Sequence, residues 1–318
     1  MTKNILLIGG AGFIGSNLVK KFISNPSYNL FILEPESADL KRLKDFQRVV
    51  LIHGDLKDLV FVNRILEQNN IHIIFHLVST LIPSSTLEDY QNEMNNLMLP
   101  SMNIMKLCSE IGIQFVYFSS GGTIYGNSKQ CSRKETDELA PISYYGLSKY
   151  IMEEAVRFEN RKSGMKYLII RPSNPYGYGQ NLFGKQGIIA VALGKYLEKQ
   201  KMTIWGDGET IRDYIYIEDL AEYLYQIIEQ NIENEIFNIG SGEGYSINYI
   251  LRTLNDVLPS TIETEYKEQR SIDVKSIVLD TGKLRSIVNI EPTGIRQGIQ
   301  AFIRELNSNQ QNLINFEF

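Results

Sequence analysis

The residues best suited to chemistry are Tyr145 and Lys149, which lie four positions apart. On one helix they would share a face. An ammonium group near the phenol favours the phenolate, so Lys149 is expected to lower the pKa of Tyr145 from its usual value of about 10. The pair therefore predicts an acid or base for a sugar or alcohol hydroxyl at physiological pH. The spacing alone is weak evidence, because an ordinary exposed Tyr and Lys share it in many helices.

A glycine-rich loop near the N-terminus predicts a dinucleotide site. The apolar run 4–8 has the pattern of a buried strand, and Gly9, Gly12 and Gly15 follow it ahead of a helix-like stretch, 16–22. Gly9 would permit the tight turn, Gly12 the approach of backbone to a pyrophosphate, and Gly15 the close packing of helix and strand. The helix N-terminus would supply N–H groups for the phosphates.

The second apolar run, 29–33, ends in an acidic residue, Glu34. A carboxylate at this distance from the glycine loop is expected to accept hydrogen bonds from the adenosine ribose and to repel a 2′-phosphate. NAD is therefore favoured over NADP. Lys41 and Arg42 could in principle host such a phosphate, but we interpret them as a solvated helix face.

These motifs together resemble the extended short-chain dehydrogenase/reductase family, in particular its NAD-dependent nucleotide-sugar epimerases and dehydratases. The glycine spacing G-x-x-G-x-x-G, with Tyr145 and Lys149, carries the resemblance. Other segments match the family in order from about residue 4 to about residue 300. They are Gly-Asp-Leu at 54–56, Phe-His-Leu-Val-Ser at 75–79, the run ending Thr-Ile-Tyr-Gly at 118–126, and the segments 171–177 and 206–214.

The resemblance implies a set of NAD contacts. In the family, the residue matching Asp55 contacts the adenine, and the segment containing Leu77 passes under the cofactor. The implied contacts in this sequence are Gly9, Gly12, Phe13, Ile14, Gly15, Glu34, Asp55, Leu56, Leu77, Ser79, Ser119, Tyr145, Lys149 and Pro172.

The resemblance also implies hydride transfer between a sugar carbinol and NAD, with Tyr145 moving the hydroxyl proton and Lys149 holding the phenolate and the nicotinamide ribose. The family's third catalytic group, a Ser or Thr, falls on Gly121 here, which has no side chain. In an extended strand Thr123 would point to the same side as Gly121, so Thr123 is favoured and Ser120 is the fallback. The segment lacks the two acids of the family's 4,6-dehydratases.

The substrate would be a nucleotide sugar. By resemblance, Asn174, Arg212 and Arg270 bind its diphosphate region. Ile277 lies seven residues after Arg270, where a gating residue of the family's 4-epimerases limits sugar size. A residue smaller than Tyr there implies that N-acetylated sugars are admitted. The competing interpretation is that Ile277 is simply a core strand residue.

Three functions remain open from the sequence. The first is NAD-dependent epimerisation at C4 of a nucleotide-linked hexose, either UDP-glucose and galactose or their N-acetylated counterparts. The second is reduction of a nucleotide 4-keto-6-deoxysugar. The third is a non-catalytic NAD(P)-sensing binder, although such proteins commonly lose the Tyr or Lys that this chain keeps.

The expected fold class is α/β, with a Rossmann-type doubly wound parallel sheet and a smaller α/β C-terminal substrate lobe. Apolar runs alternate with helix-like stretches such as 97–110 and 146–162. The expected NAD-binding domain comprises 1–172 and about 211–240, where the chain returns to the sheet. The expected sugar-binding lobe comprises 173–210 and 241–318.

Composition narrows the partners. A net charge of −5 argues against nucleic acid, and no apolar run is long enough to span a bilayer. The chain begins almost at a strand, so a cytoplasmic protein without a signal peptide is expected. The two cysteines and three histidines form no metal pattern. The resemblance implies a homodimer through a four-helix bundle, with 94–110 and 146–160 as candidate helices.

Overall fold

The computed structural model describes residues 2–127, 132–268 and 276–309. Its strands are β1 (Lys3–Ile8), β2 (Tyr28–Glu34), β3 (Val49–His53), β4 (Ile73–His76), β5 (Gln114–Phe118), β6 (Ser132–Arg133), β7 (Tyr167–Pro172), β8 (Asn174–Tyr176), β9 (Met202–Trp205), β10 (Ile211–Tyr216), β11 (Glu235–Ile239), β12 (Gly244–Ser246), β13 (Thr264–Lys267) and β14 (Ser276–Leu279). Its α-helices are α1 (Phe13–Phe22), α2 (Leu59–Gln68), α3 (Leu87–Glu93), α4 (Leu99–Ile111), α5 (Tyr144–Ser163), α6 (Ile188–Leu197), α7 (Ile217–Glu229), α8 (Ile247–Val257), α9 (Gly282–Arg285) and α10 (Ile295–Asn309).

The larger sheet has seven strands in the order β11-β7-β5-β4-β1-β2-β3, and all of its strand pairs are parallel. Its central strands are apolar on both faces because each face is covered by helices. Helices α1 and α7 contribute to the core on one face, while α2, α4 and α5 contribute to the core on the other. The expected α/β fold and parallel Rossmann-type sheet are confirmed.

Helix α5 begins where its sequence provides a cap. The Ser143 side chain accepts a hydrogen bond from the Gly146 N–H at 3.1 Å, and the helix ends at Gly164, whose φ of 76° is left-handed. The expected helix 146–162 is thus present with slightly wider bounds. It carries the Y-x-x-x-K pair in its first two turns.

The C-terminal lobe is built around a smaller mixed sheet. Its order is β12-β10-β14-β6, with β8 also paired to β10, and strands β9 and β13 form a separate parallel pair. The expected return to the large sheet is made by α7 and β11. Strand β10, which we expected to accompany them, instead lies in the smaller sheet. There it pairs with β8, β12 and β14. The expected domain bounds stay a prediction.

Membrane-spanning helices and clusters of metal-ligating side chains are absent from the described residues. Within 2–127, 132–268 and 276–309, no helix is both long and apolar enough to cross a membrane. The same ranges contain no group of three or more His, Cys, Asp or Glu side chains that could hold a metal ion.

Candidate active site

The glycine loop brings helix α1 against the large sheet. Gly9 has a φ of +83°, a left-handed conformation that L side chains rarely adopt. A Cβ at Gly15 would lie 2.6 Å from the Gly10 Cα, so only glycine allows this approach of helix to turn. Phe13 and Ile14 form the first turn of α1, where backbone N–H groups are free of intrahelical partners. Both side chains are half-buried and pack against the core of the C-terminal lobe.

A cleft of about 1010 Å³ opens at the carboxyl ends of β1, β2 and β4, beside this loop. Ligands of open parallel sheets bind at this edge. The expected cofactor residues that line the cleft are Gly9, Gly12, Glu34, Asp55, Leu56, Leu77 and Ser79. These seven residues, expected partly from the glycine spacing and partly from the family resemblance, lie at or just past the ends of β1, β2, β3 and β4.

Glu34 lies inside the cleft as expected. Its Oε1 accepts a hydrogen bond from the Ala11 N–H at 2.6 Å, which ties β2 to the glycine loop. Burial raises the pKa of Glu34, while the Ala11 hydrogen bond and the nearby His53 lower it. The carboxylate is therefore buried next to the loop that would receive a dinucleotide.

Our interpretation of Arg42 as part of a solvated face is wrong. Arg42 lines the cleft, is half-buried and donates from Nε to the Gly179 carbonyl at 2.7 Å. Lys41 is exposed and lies 3.9 Å from Asp39. The difference arises because the short 3₁₀ turn Lys41–Leu43 directs successive side chains to different sides.

Tyr145 and Lys149 share a face of α5, with the Lys149 Nζ 5.7 Å from the centre of the Tyr145 ring. The ammonium donates to the Phe118 carbonyl at 2.9 Å. Its burial lowers the pKa of Lys149 to about 8. Burial raises the pKa of Tyr145, although a hydrogen bond with the Ser120 side chain lowers it. The expectation that Lys149 brings the pKa of Tyr145 towards neutrality is therefore not met by the chain's own groups, because burial is the largest influence on the Tyr145 pKa and raises it.

The third catalytic group was assigned on a wrong local geometry. Residues 121–125 form a turn, not an extended strand, and the Ile124 N–H bonds to the Ser120 carbonyl at 3.3 Å. Thr123 therefore does not follow the alternation that favoured it. Its buried Oγ1 has no hydrogen-bond partner in the described chain, whereas the Ser120 side chain interacts with Tyr145. The fallback residue, Ser120, is the one that contacts the Tyr.

Ser119 and Pro172 lie at the ends of adjacent strands β5 and β7. The Ser119 N–H donates to the Ile170 carbonyl at 2.7 Å, and the Gly121 N–H donates to the Pro172 carbonyl at 2.8 Å. Both side chains are buried. These bonds hold the Ser120 segment in register with the strand that leads into the C-terminal lobe.

Of the expected substrate residues, Asn174 and Arg212 are half-buried, whereas Ile277 is in the core. The Asn174 Nδ2 donates to the Asp213 carbonyl at 2.7 Å, and Arg212 is half-buried on neighbouring β10. Ile277 pairs with Arg212 in the sheet, but its side chain is only 1% exposed and belongs to a small core cluster. This burial favours the competing interpretation of Ile277 as a core strand residue. Arg270 lies outside the described residues.

Comparison with known proteins identifies the family. The model described as "NAD dependent epimerase/dehydratase family" matches residues 5–240. The chain belongs to this family. A putative UDP-glucose 4-epimerase of Methanocaldococcus jannaschii is 31% identical over 310 residues, covering 96% of this chain and 99% of the relative. The dTDP-4-dehydro-6-deoxyglucose reductase of Escherichia coli is 29% identical, covering 95% and 97%.

The fold is also similar to that of a solved epimerase structure. The crystal structure of UDP-glucose 4-epimerase from Thermotoga maritima with UDP-glucose superposes with a TM-score of 0.89 at 29% identity. It covers 97% of this chain and 100% of its own. The epimerase/dehydratase family is NAD-dependent, in agreement with the glycine loop and with Glu34.

Three buried acidic residues of this family member were missed by sequence reasoning. Glu153 forms two hydrogen bonds with Arg171, at 2.9 and 2.6 Å, and both residues are almost fully buried. Asp213 accepts from the Ser241 N–H at 2.9 Å and joins the two sheets. Glu93 lines the cleft. Only Glu153 carried a signal, since it lies one helical turn beyond Lys149.

Proposed function

We propose that this protein catalyses NAD-dependent epimerisation at C4 of a nucleotide-linked hexose through a 4-keto sugar. The observation that carries the proposal is the contact of Ser120 with Tyr145 beside the buried Lys149. Glu93 lines the cleft and acts electrostatically on Tyr145 and Lys149, which links this pair to the cleft. The 4-epimerase relative at 31% identity supports the same reaction.

The residues present fit NAD. Gly15 permits the close helix approach that exposes the N-terminus of α1 to a pyrophosphate, and Glu34 lies in the cleft where an adenosine ribose is expected. Buried Ser119 Oγ has no hydrogen-bond partner among the described residues, which leaves it available to a ligand. We therefore assign the cleft to NAD, with Glu34 disfavouring a 2′-phosphate.

The chain's own residues would manage the proton. Ser120 and Tyr145 would hydrogen-bond the C4 hydroxyl together, and Tyr145 would take its proton as the carbon is oxidised. NAD held by the glycine loop and Glu34 would supply the hydride acceptor and donor that oxidation and re-reduction at C4 require. Tyr145 would then give the proton back. Lys149 would supply positive charge that favours the phenolate before it takes the proton and after it has given the proton back.

The substrate would be held by the C-terminal lobe. We propose that Asn174, Arg212 and Arg270 contact the diphosphate, for which guanidinium geometry is well suited. UDP-glucose and UDP-galactose, or their N-acetylated counterparts, are the proposed pairs. The burial of Ile277 removes the reason for assigning the sugar gate to it.

A homodimer is proposed on the surface of α4 and α5. Leu99 and Phe158 are large apolar side chains that are 49% and 55% exposed on these two helices. Apolar side chains on neighbouring helices are what a four-helix interface would bury.

The second candidate is a nucleotide 4-keto-6-deoxysugar reductase. It is favoured by the E. coli reductase relative, which is nearly as similar as the epimerase relative. A non-catalytic binder is disfavoured because Tyr145, Lys149 and Ser120 are all retained and in contact.

The test is to incubate purified protein with UDP-glucose and with UDP-N-acetylglucosamine, without added cofactor, and to separate the products. An epimerase carrying NAD converts substrate well beyond one equivalent of enzyme, because the cofactor is regenerated in each turnover. If both sugars stay unchanged while a 4-keto-6-deoxysugar is reduced at the expense of added NADH, the reductase is the correct function.

A further inference from the structure

Glu93 is a buried carboxylate that lines the cleft. It is the last residue of α3, and the chain continues in a π-helical turn, Met94–Met98, before α4. Such π turns inside helices are often found at functional sites. The Glu93 side chain is only 4% exposed, yet the residue lines the cleft. A buried carboxylate at a ligand site requires partners.

The first partner is the loop that follows β4. Glu93 Oε2 accepts hydrogen bonds from the Thr80 N–H at 2.6 Å, the Thr80 hydroxyl at 2.7 Å and the Leu81 N–H at 3.0 Å. Leu77 and Ser79, which immediately precede this loop, line the cleft. The carboxylate therefore fixes a segment of the cleft wall against which the dinucleotide would lie.

The second partner is the charge of Lys149. The groups that face Lys149 are Glu93 from α3, Glu153 from its own helix, Tyr117 from β5 and Tyr145, and Lys149 in turn acts on His76 of β4. Glu153 is already in an ion pair with Arg171.

Glu93 differs from Glu153 in this respect. Its hydrogen bonds come from neutral donors, and it forms no ion pair within 4 Å in the part of the chain that the structure describes. Its negative charge therefore acts on Lys149 from beyond ion-pair distance, and it acts on Tyr145 as well.

We propose that Glu93 is a positioning residue of the reaction, which anchors the Thr80–Leu81 loop and supplies negative charge that acts on Lys149 and Tyr145. This inference rests on the proposed function of the Tyr145 site. Removal of the negative charge makes the Lys149 ammonium less favourable and the Tyr145 phenolate more favourable. Both groups therefore lose their protons at lower pH.

The test compares Glu93→Gln, which removes the charge, with Glu93→Asp, which keeps it on a shorter side chain. Glu88→Gln, an exposed position on the same helix, is the matched control. We expect the pH profile of turnover in Glu93→Gln to move to lower pH by about one unit. Glu93→Asp should keep the position of the profile while losing rate. A Glu93→Gln profile that only falls in height, at unchanged position, overturns the electrostatic role.

Two readouts do not depend on turnover. The phenolate absorbance of Tyr145, measured as the difference between each protein and its Tyr145→Phe version, should shift to lower pH in Glu93→Gln and not in Glu88→Gln. In the native protein, the Thr80 and Leu81 amides should exchange slowly with deuterated solvent. Fast exchange there refutes the anchoring role, even if Glu93→Gln fails to fold. A shifted phenolate in a protein without epimerase activity leaves this inference standing and rejects the proposed reaction.

Discussion

At the scale of single residues, the chemistry depends on how burial and charge compete around Tyr145. The sequence predicted the Tyr–Lys pair and its helix face, but it also suggested a lowered pKa for Tyr145. That suggestion failed because spacing reports which groups are neighbours and not how deeply they lie. The structure shows burial as the dominant effect on both groups, which raises the pKa of the Tyr and lowers that of the Lys.

Tyr145→Phe is expected to abolish turnover while NAD remains bound. The ring stays in place, and only the hydroxyl that would move the proton is lost. A loss of ~10²–10⁴-fold is typical of a general acid or base. Steady-state kinetics and cofactor content of the purified variant test this together. Retention of more than about a tenth of the native rate would show that another group moves the proton.

Ser120→Ala should lower the rate far more than Thr123→Val. Ser120 interacts with Tyr145, whereas Thr123 Oγ1 has no partner in the described ranges. We expect ~10²-fold or more for the loss of a donor to the developing alkoxide. The two variants serve as controls for each other, since both remove one hydroxyl from the same short segment. Equal losses would restore Thr123 as a candidate.

The activity should decline as the pH rises past about 8, where Lys149 loses its proton. The pKa of Lys149 is lowered from its ordinary value, so the ammonium form is fully present only below that pH. The pH profile of kcat checks this. A Lys149→Arg variant provides the control, because its charge persists to high pH, and any activity it keeps should lack the alkaline decline. If native and variant declined together, the limiting group would be another one.

At the scale of elements, strand ends and glycine positions were predictable, while local turns were not. Apolar runs and glycine spacing predicted β1, α1 and the cleft edge, because a parallel sheet directs its strand ends to one side. The turn at 121–125 was missed because a Gly-Gly pair is compatible with extended and turned backbone alike. Arg42 was misjudged because its bond to Gly179 joins segments more than a hundred residues apart.

Gly15→Ala should destabilise the α1–β1 unit and weaken NAD binding. The added Cβ would lie 2.6 Å from the Gly10 Cα and 2.7 Å from two backbone oxygens, so backbone must move. Overpacking of this kind costs ~1–3 kcal/mol. Thermal melting and calorimetric NAD titration measure both effects. Gly294→Ala, where the nearest atom is 3.8 Å away, is the control and should behave like the native protein.

At the scale of the whole molecule, the large parallel sheet and the smaller mixed sheet differ in how far one sequence predicts their roles. The family and the NAD-binding sheet were predictable from one sequence because their motifs are short and local. The sugar and nucleotide were not, because they depend on side chains of the C-terminal lobe that are distant in sequence and on Arg270, which lies outside the described residues. Ile277 illustrates this, since its register matched the gate position while its side chain is in the core.

The proposed epimerisation requires that the hydride leaves C4 and returns to the same carbon. The direct measurement uses a UDP-hexose carrying deuterium at C4, incubated with the purified protein, with the isotope followed by mass spectrometry and NMR. We expect the epimerised product to keep its deuterium at C4 in ordinary water. Loss of the deuterium to solvent during epimerisation, or its appearance in released NADH without any epimer, would contradict the proposed reaction.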